Sequence, residues 1–304
     1  ILKLMTNQPD HRDLGRQLGI FVSSEIVGAG LPLFPGAGTV IREELKRYER
    51  EILFRLDYEE VTTPHIGKVA LYEKSGHYPY YKDSQFPLME EDGERYLLKP
   101  MNCPHHIQIY ASRLWSYRDL PRRFIEFGTC YRHEQTGEIS GLTRVRSLTI
   151  DDTHVFAREE QLKLEVGTML DQVSEVYKTF NFEYRFELSY RDPKNTEKYG
   201  GDDKLWKRAE DTLREVLAER GLPSKGVPGE AAFYGPKIDF FVTDSLGREW
   251  QLATIQLDFF LPEKFELRYA TEDGWGRPVM IHRAIYGSLE RFMGILIEHY
   301  AGAF

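Results

Sequence analysis

The chain has only two cysteines, Cys103 and Cys130, in 304 residues. Two thiols cannot build the bridge framework that staples small secreted folds, and their scarcity fits a reducing compartment. No apolar run reaches the roughly 18 to 20 residues that cross a bilayer. The amino end lacks the basic-then-apolar pattern of a secretion signal. There is no low-complexity tract and no internal repeat. Positive charge is not in excess either: 40 Lys and Arg stand against 48 Asp and Glu, a net charge of −8. A broad phosphate-binding surface needs clustered cations, so only local basic spots remain for such a contact, Arg122 with Arg123 and Arg144 with Arg146. These shortages predict a cytoplasmic protein with no membrane segment.

What is present is enough to fold unaided: 41% of the residues are hydrophobic, which can bury a sizeable core. DHRDLGRQLGIFVSSEIVG reads as an amphipathic helix with Asp10 as N-cap. GLPLFPGAG is too rich in Gly and Pro for a helix. TVIREELKRYEREILFRL has helical periodicity through Val40, Ile41, Leu45, Ile52 and Leu53, and EEVTTP is a short β-rich piece. ERYLLKP reads as a strand leading into a helix over NCPHHIQIYASRLW, with Pro104 in the first turn and Asn102 or Cys103 at the cap. RRFIEFGTCYRHE and GLTRVRSLTIDDTHVF are β-like and joined by QTGEIS. Two long charged helices between Ala157 and Gly221 flank the strand FNFEYRFELSY. AAFYGPKIDFFVTD and REWQLATIQLDFFL form a second hairpin turning at DSLG. The last segment changes from strand to helix near Gly287. Strands that come in hairpins, with helices packed on them, predict an α+β fold.

Alternation along a strand pairs Arg132 with Glu134 and Asp152 with His154 on single faces. That pattern fits a converging site, and it also fits ordinary cross-strand ion pairs on a solvated face. Cys103 has three readings: a small buried side chain, a nucleophile needing a nearby base, or one corner of a metal site. Of its neighbours only His106 shares its helix face, and no local CxxC or HxxxH spacing supports a metal. Cys130 reads as a packed strand residue and His282 as a core histidine. Local spacing favours the bland reading of Cys103 and leaves the others open.

Longer motifs add a resemblance. DHRDLGRQLGIF, GLPLFPGAGTVIREELKRYE, SGHYPYYKD, LKPMNCPHH, EFGTCYRHEQTGEISGLTRVRSLTIDDTHVF, AFYGPKIDF, EWQLATIQLDF and PVMIHRAIYGSLERF together resemble the catalytic core of the threonyl-tRNA synthetases, a family of class II aminoacyl-tRNA synthetases. The resemblance spans essentially all of residues 1–304. It implies one catalytic domain on an antiparallel six- or seven-stranded sheet flanked by helices, with editing and anticodon-binding modules absent from this chain. It implies a homodimer built on the helix from Thr39 and the strand ending at Pro64.

The implied reaction joins threonine to ATP, with Mg²⁺, as threonyl-adenylate and then to tRNA(Thr). Arg132 matches the residue that grips the α-phosphate and the amino-acid carboxylate, Glu134 the one that accepts from the adenine amino group, and Arg291 the one that lies on the adenine. Cys103, His154 and His282 match ligands of one Zn²⁺ per protomer, whose open positions take the amine and hydroxyl of threonine. Asp152, Tyr234, Gln251 and Gln256 match substrate- and nucleotide-contacting positions. Lys237 and His77 match positions near phosphate and tRNA ribose. Gln251 and Gln256 have opposite strand parity, so both face one site only across a bulge. The chain departs from the family pattern at Ile150, where many relatives have Gln, at Ala253 for Gly, and at Ser147-Leu148 for Gly-Phe. A seryl or prolyl synthetase would leave the Cys/His/His set without a purpose. A regulatory module that only binds tRNA or an amino acid would not need Arg132, Glu134 and Arg291, and a zinc hydrolase would need an HExxH-type base that is missing.

Overall fold

The computed structural model describes residues 9–304 apart from Ser224 and Leu246. Its centre is a sheet of eight strands: β1 (Glu59–Glu60), β2 (Arg122–Tyr131), β3 (Ser147–Ala157), β4 (Tyr184–Tyr190), β5 (Gly226–Pro228), β6 (Lys237–Thr243), β7 (Glu249–Asp258) and β8 (Val279–Ala284). They lie in the order β1-β2-β3-β8-β7-β6-β4-β5. The six inner strands run antiparallel. The two short edge strands add parallel to them, β1 on β2 and β5 on β4. The expected sheet of six or seven antiparallel strands is corrected on this point. The physical reason is visible in the chain path: a helix separates β4 from β5, and strands joined by a helical crossover pair in parallel.

Among the helices around the sheet are α1 (His11–Gln17), α2 (Gly36–Phe54), α3 (Cys103–Ala111), α4 (Leu162–Thr179), α5 (Asp203–Glu219) and α6 (Leu289–His299). One face of the sheet packs under α4 and α6, where Val173, Val176, Phe292 and Leu296 meet Ile255 and Ile281. The opposite face carries a second cluster in which Cys103, Ile107 and Tyr110 of α3 meet Phe124, Phe156 and Met280. Every residue of β8 is buried, because layers cover both of its faces. Strand alternation then sends Ile281 and Arg283 to the α4/α6 side, and Met280 and His282 to the α3 side. That division sets up the site.

Several expected boundaries differ. Helix α1 has its Asp10 cap but stops at Gln17, because Gly19 takes φ 63° and redirects the chain so that Ile20 and Phe21 enter the core. On α2, Leu45, Ile52 and Leu53 are buried while Val40 is exposed. Helix α3 ends at Ala111, since Trp115 pairs with Tyr269 in a small side sheet. Strand β2 ends at Tyr131, so Arg132 and Glu134 lie beyond it and the alternation argument does not reach them. The β6–β7 hairpin is present, although Leu246 of its DSLG turn lies outside the described residues. Among the described residues, no helix is long and apolar enough to cross a membrane.

Candidate functional site

Register brings the two distant histidines together. His154 of β3 and His282 of β8 are directly opposed across the sheet, their ring centroids 4.7 Å apart. Cys103, the first residue of α3, sits over the pair. One donor atom from each of Cys103, His154 and His282 lies within 4.8 Å of the others, and all three side chains are buried.

The hydrogen bonds around this trio test whether it suits a metal ion. Asp258 accepts from or faces His282 Nε2 at 2.9 Å, and His154 Nδ1 lies 2.7 Å from His106 Nδ1. The remaining ring nitrogens, His154 Nε2 and His282 Nδ1, are buried without a hydrogen-bond partner among the described residues. A buried polar atom left unpaired costs about 1–3 kcal/mol, so two beside one thiol are unfavourable for the protein alone. Burial, reinforced by the charge of Asp152, pushes the Cys103 thiol up, and burial followed by His106 pushes His154 down. The trio therefore offers a neutral imidazole at His154 and, at Cys103, a thiol that needs a nearby cation to ionise. Those are the donor states that a divalent metal selects. A carboxylate on the far nitrogen of a histidine is also the usual outer support of a metal ligand. The set fits zinc.

Around the trio, Tyr234 stacks on His282 with centroids 4.7 Å apart. The Tyr234 hydroxyl donates to Gln256, which opposes His282 from β7. Asp152 Oδ1 lies 3.6 Å from His154 Nε2, beyond hydrogen-bond reach, while Asp152 Oδ2 accepts from Asn102 Nδ2 at 2.9 Å. Asn102 occupies the cap position of α3 but spends its side chain on Asp152 rather than on the helix. A Cβ on Gly128 would stand 2.5 Å from the Asn102 amide oxygen, so only glycine leaves room there.

Two connected spaces open beside the trio. The smaller, about 270 Å³, is lined by Cys103, Asp152, His282, Ile150 and Arg291. The larger, about 720 Å³, is lined by Glu134, Lys237 and Arg144, and the two share Arg132, Tyr234, Gln251 and Gln256. Gln251 and Gln256 reach one cavity because the β6–β7 register shifts between Asp239 and Phe241, where Phe240 alone stands against Leu252 and Ala253.

Two of the cations here, Arg132 and Arg291, have no carboxylate partner among the described residues. The Arg132 side chain makes one polar contact there, with Met101 Sδ at 3.9 Å. Arg291 donates to two carbonyls, Thr143 at 2.9 Å and Gln251 at 3.2 Å. Burial, then Arg132 and Arg144, pushes its pKa down. Glu134 is held by Arg144 at 2.8 Å. Arg144 and Lys237 are spoken for by carboxylates, so Arg132 and Arg291 are the charges left to hold an anion in this space.

Lys237 is paired with Asp239 at 2.5 Å. Buried Asp239 also accepts from Ser189 at 2.7 Å, Gln251 at 2.5 Å and Thr254 at 3.2 Å, which makes it the hub of this wall. His77 does not line either space. It is buried behind Tyr234, centroids 6.2 Å apart, with Nδ1 on Ser75 Oγ at 2.8 Å and its pKa pushed down by burial to about 3. Ala253 is buried, its N–H donating to Tyr177 at 2.8 Å, and Leu148 packs on Cys130. Asp239 and Asp258 carry no sign of a site role in the sequence, Asn102 carries only that of a helix cap, and His106 only its shared helix face with Cys103.

The fold and this site define a class. Residues 85–300 match the family described as tRNA synthetase class II core domain (G, H, P, S and T). The prolyl-tRNA synthetase of Giardia lamblia shares the fold with a TM-score of 0.73 at 15% identity, over 95% of this chain and 52% of that one. Within the class the similarity narrows. The threonine–tRNA ligase of Deinococcus deserti is 57% identical over 297 residues, 97% of this chain and 46% of that protein. A solved structure described as the RNA binding domain of threonyl-tRNA synthetase from Cryptosporidium parvum Iowa II has a TM-score of 0.94 and 39% identity, covering 97% of this chain and 74% of that one. The chain belongs to the threonyl-tRNA synthetase family. It spans about half the length of the curated relatives it matches.

Proposed function

We propose that residues 1–304 act as a single aminoacylation domain that activates threonine with ATP and passes it to tRNA(Thr) in the cytoplasm, as a homodimer formed through α2 and β1. The observation that carries this reading is the buried Cys103/His154/His282 trio opening onto a cavity walled by Arg132 and Arg291. Cys103, His154 and His282 would hold one zinc ion. Bound there, zinc would supply a Lewis-acid contact for the amine and hydroxyl of the substrate. The rationale is selectivity: an apolar pocket separates near-isosteric side chains such as threonine and valine by only about a hundredfold. A contact that demands a hydroxyl discards valine. Asp152, held by Asn102, would accept from that hydroxyl.

For activation, ATP with Mg²⁺ would lie in the larger cavity. Glu134 would accept from the adenine amino group, Arg291 would lie over the base, and Lys237 and Gln251 would stand on the phosphate side. The threonine carboxylate attacks the α-phosphorus, the new O–P bond forms as the bond to pyrophosphate breaks, and Arg132 spreads the charge that builds up. A preorganised guanidinium in a water-poor site stabilises such charge without reorganising. In the transfer step a ribose hydroxyl of tRNA attacks the acyl carbon and AMP leaves. Tyr234 and Gln256, beside His282, would contact the amino acid, and His77, behind Tyr234, would stand toward the tRNA ribose. The test is metal analysis of the purified chain: about one zinc per protomer, lost in Cys103→Ala. Zinc retained in that variant contradicts the ligand set.

A further inference from the structure

His106 stands next to the proposed metal site without being one of its ligands. Its ring meets that of His154 edge-on, at 86° and 4.6 Å between centroids, and the contact is Nδ1 to Nδ1 at 2.7 Å. Its other nitrogen, Nε2, lies 3.0 Å from Glu126 Oε2. Glu126 is buried and fully engaged: it also accepts from the Thr63 N–H at 2.8 Å, the Thr63 hydroxyl at 2.8 Å and Lys99 Nζ at 3.3 Å. Lys99 donates in turn to Thr63 Oγ1 at 2.8 Å. Lys99, Glu126, His106 and His154 therefore form one buried chain of contacts that ends at the trio.

Hydrogen bonding admits one proton arrangement along that chain when His154 presents a lone pair to the trio. A neutral imidazole has one donor nitrogen and one acceptor. The unpartnered nitrogen of His154 is Nε2, so ligation there requires the proton on Nδ1. That proton must be donated to His106 Nδ1, which must then be an acceptor. His106 therefore carries its own proton on Nε2 and donates it to Glu126, a carboxylate anchored by Lys99 and Thr63. Each bond in the chain specifies the next.

We propose that His106 is a positioning residue that fixes His154 in its Nδ1-protonated tautomer and fixes its ring orientation, with Glu126 fixing His106. The inference rests on the zinc reading above. It assigns to the second histidine of CPHH a role distinct from ligation: His282 receives its outer support directly from a carboxylate, whereas His154 receives it through an intervening imidazole. Losing such an outer partner typically weakens metal binding about 10–100-fold.

The test uses the zinc-loaded chain and three variants, with zinc affinity measured by competition against a chromophoric chelator. His106→Leu keeps most of the volume and leaves Glu126 its Thr63 and Lys99 partners. It should weaken zinc binding by about 10–100-fold. His106→Asn restores an acceptor near the Nδ1 position and should recover most of the loss, which a merely structural role would not predict. In ¹⁵N-histidine-labelled, zinc-loaded wild type, His106 should show a protonated Nε2 and an unprotonated Nδ1 that accepts from His154. This readout decides the matter even if His106→Leu fails to fold. Protonation of His106 at Nδ1, or wild-type affinity in His106→Leu, overturns the positioning role. Cys103→Ala separates the two failures: if it loses zinc while His106→Leu binds normally, only the role of His106 falls, and if it keeps zinc, the zinc reading falls with it.

Discussion

His154 and His282 are cross-strand partners, opposed on β3 and β8 although 128 positions separate them in the chain. Their two unpartnered nitrogens and the Cys103 thiol converge from elements that exist only in the folded sheet. A metal that binds this arrangement binds the folded state alone, so it stabilises by mass action. With zinc at 100 times its Kd, stability should rise by about 2.7 kcal/mol. Urea denaturation with and without a chelator measures this, and in Cys103→Ala the two curves should coincide.

Arg132 faces the cavity with no carboxylate partner among the described residues, so on the proposed function its charge would serve ligand binding rather than the fold. Arg132→Ala should lower ATP–pyrophosphate exchange by about 10²–10³-fold, the scale for losing one preorganised group that stabilises developing charge. The urea midpoint should shift by no more than about 0.5 kcal/mol in stability. A large stability loss with unchanged exchange would reverse the assignment.

The turn that delivers Arg291 depends on Asp151. Its carboxylate accepts the N–H groups of Ile285 at 2.5 Å, Tyr286 at 3.1 Å and Gly287 at 2.9 Å, and lies 3.8 Å from buried Arg283. Gly287 takes φ 74°, and a Cβ there would strike the Leu252 carbonyl at 2.6 Å, so this turn has no freedom to rebuild. Asp151→Ala leaves three N–H groups, two of them buried, without their acceptor and removes one of the two carboxylates near Arg283, which keeps Glu49 at 2.9 Å, and should cost about 3–5 kcal/mol. Chemical denaturation measures it, and a cost below about 1 kcal/mol would show that the turn holds itself.

Glu126 gives the acid limb of the stability curve a definite sign. Burial alone would raise its pKa, but the His106 hydrogen bond, the Lys99 charge and the Thr63 N–H outweigh that and hold it at about 2, below the ordinary 4.5. The stabilisation is complete above about pH 4.5 and is lost as pH falls toward about 2. A shift of that size corresponds to about 3 kcal/mol. Stability of wild type relative to Glu126→Gln, followed from pH 6 to the acid limit by urea titration at roughly unit intervals, should therefore fall across that window. A flat difference would remove Glu126 from the acid response.

Much of the architecture was legible in order and type. The two hairpins, the strand-to-helix junction at Cys103 and the change near Gly287 follow from periodicity and from Gly and Pro placement. Edges were less so: the parallel pairing of β1 and β5 depends on crossover paths, and the early end of α1 on a glycine whose left-handed turn competes with a continuing amphipathic pattern. The site was legible only through long motifs. No spacing rule connects Cys103 to His154 and His282, because register between strands is set by the whole sheet. His106 shows in the sequence only as a neighbour on the helix face of Cys103, and its contact with His154 exists only once α3 is laid on the sheet. Asp239 and Asp258 gave no sign, since a buried carboxylate hub looks like any strand acid until its partners are in place.

The most direct test of the central claim is ATP–pyrophosphate exchange by the zinc-loaded chain with threonine, serine and valine in turn. Threonine should drive exchange, serine should drive it weakly because it keeps the hydroxyl, and valine should stay at background. Equal exchange with threonine and valine would contradict a metal site that reads the hydroxyl.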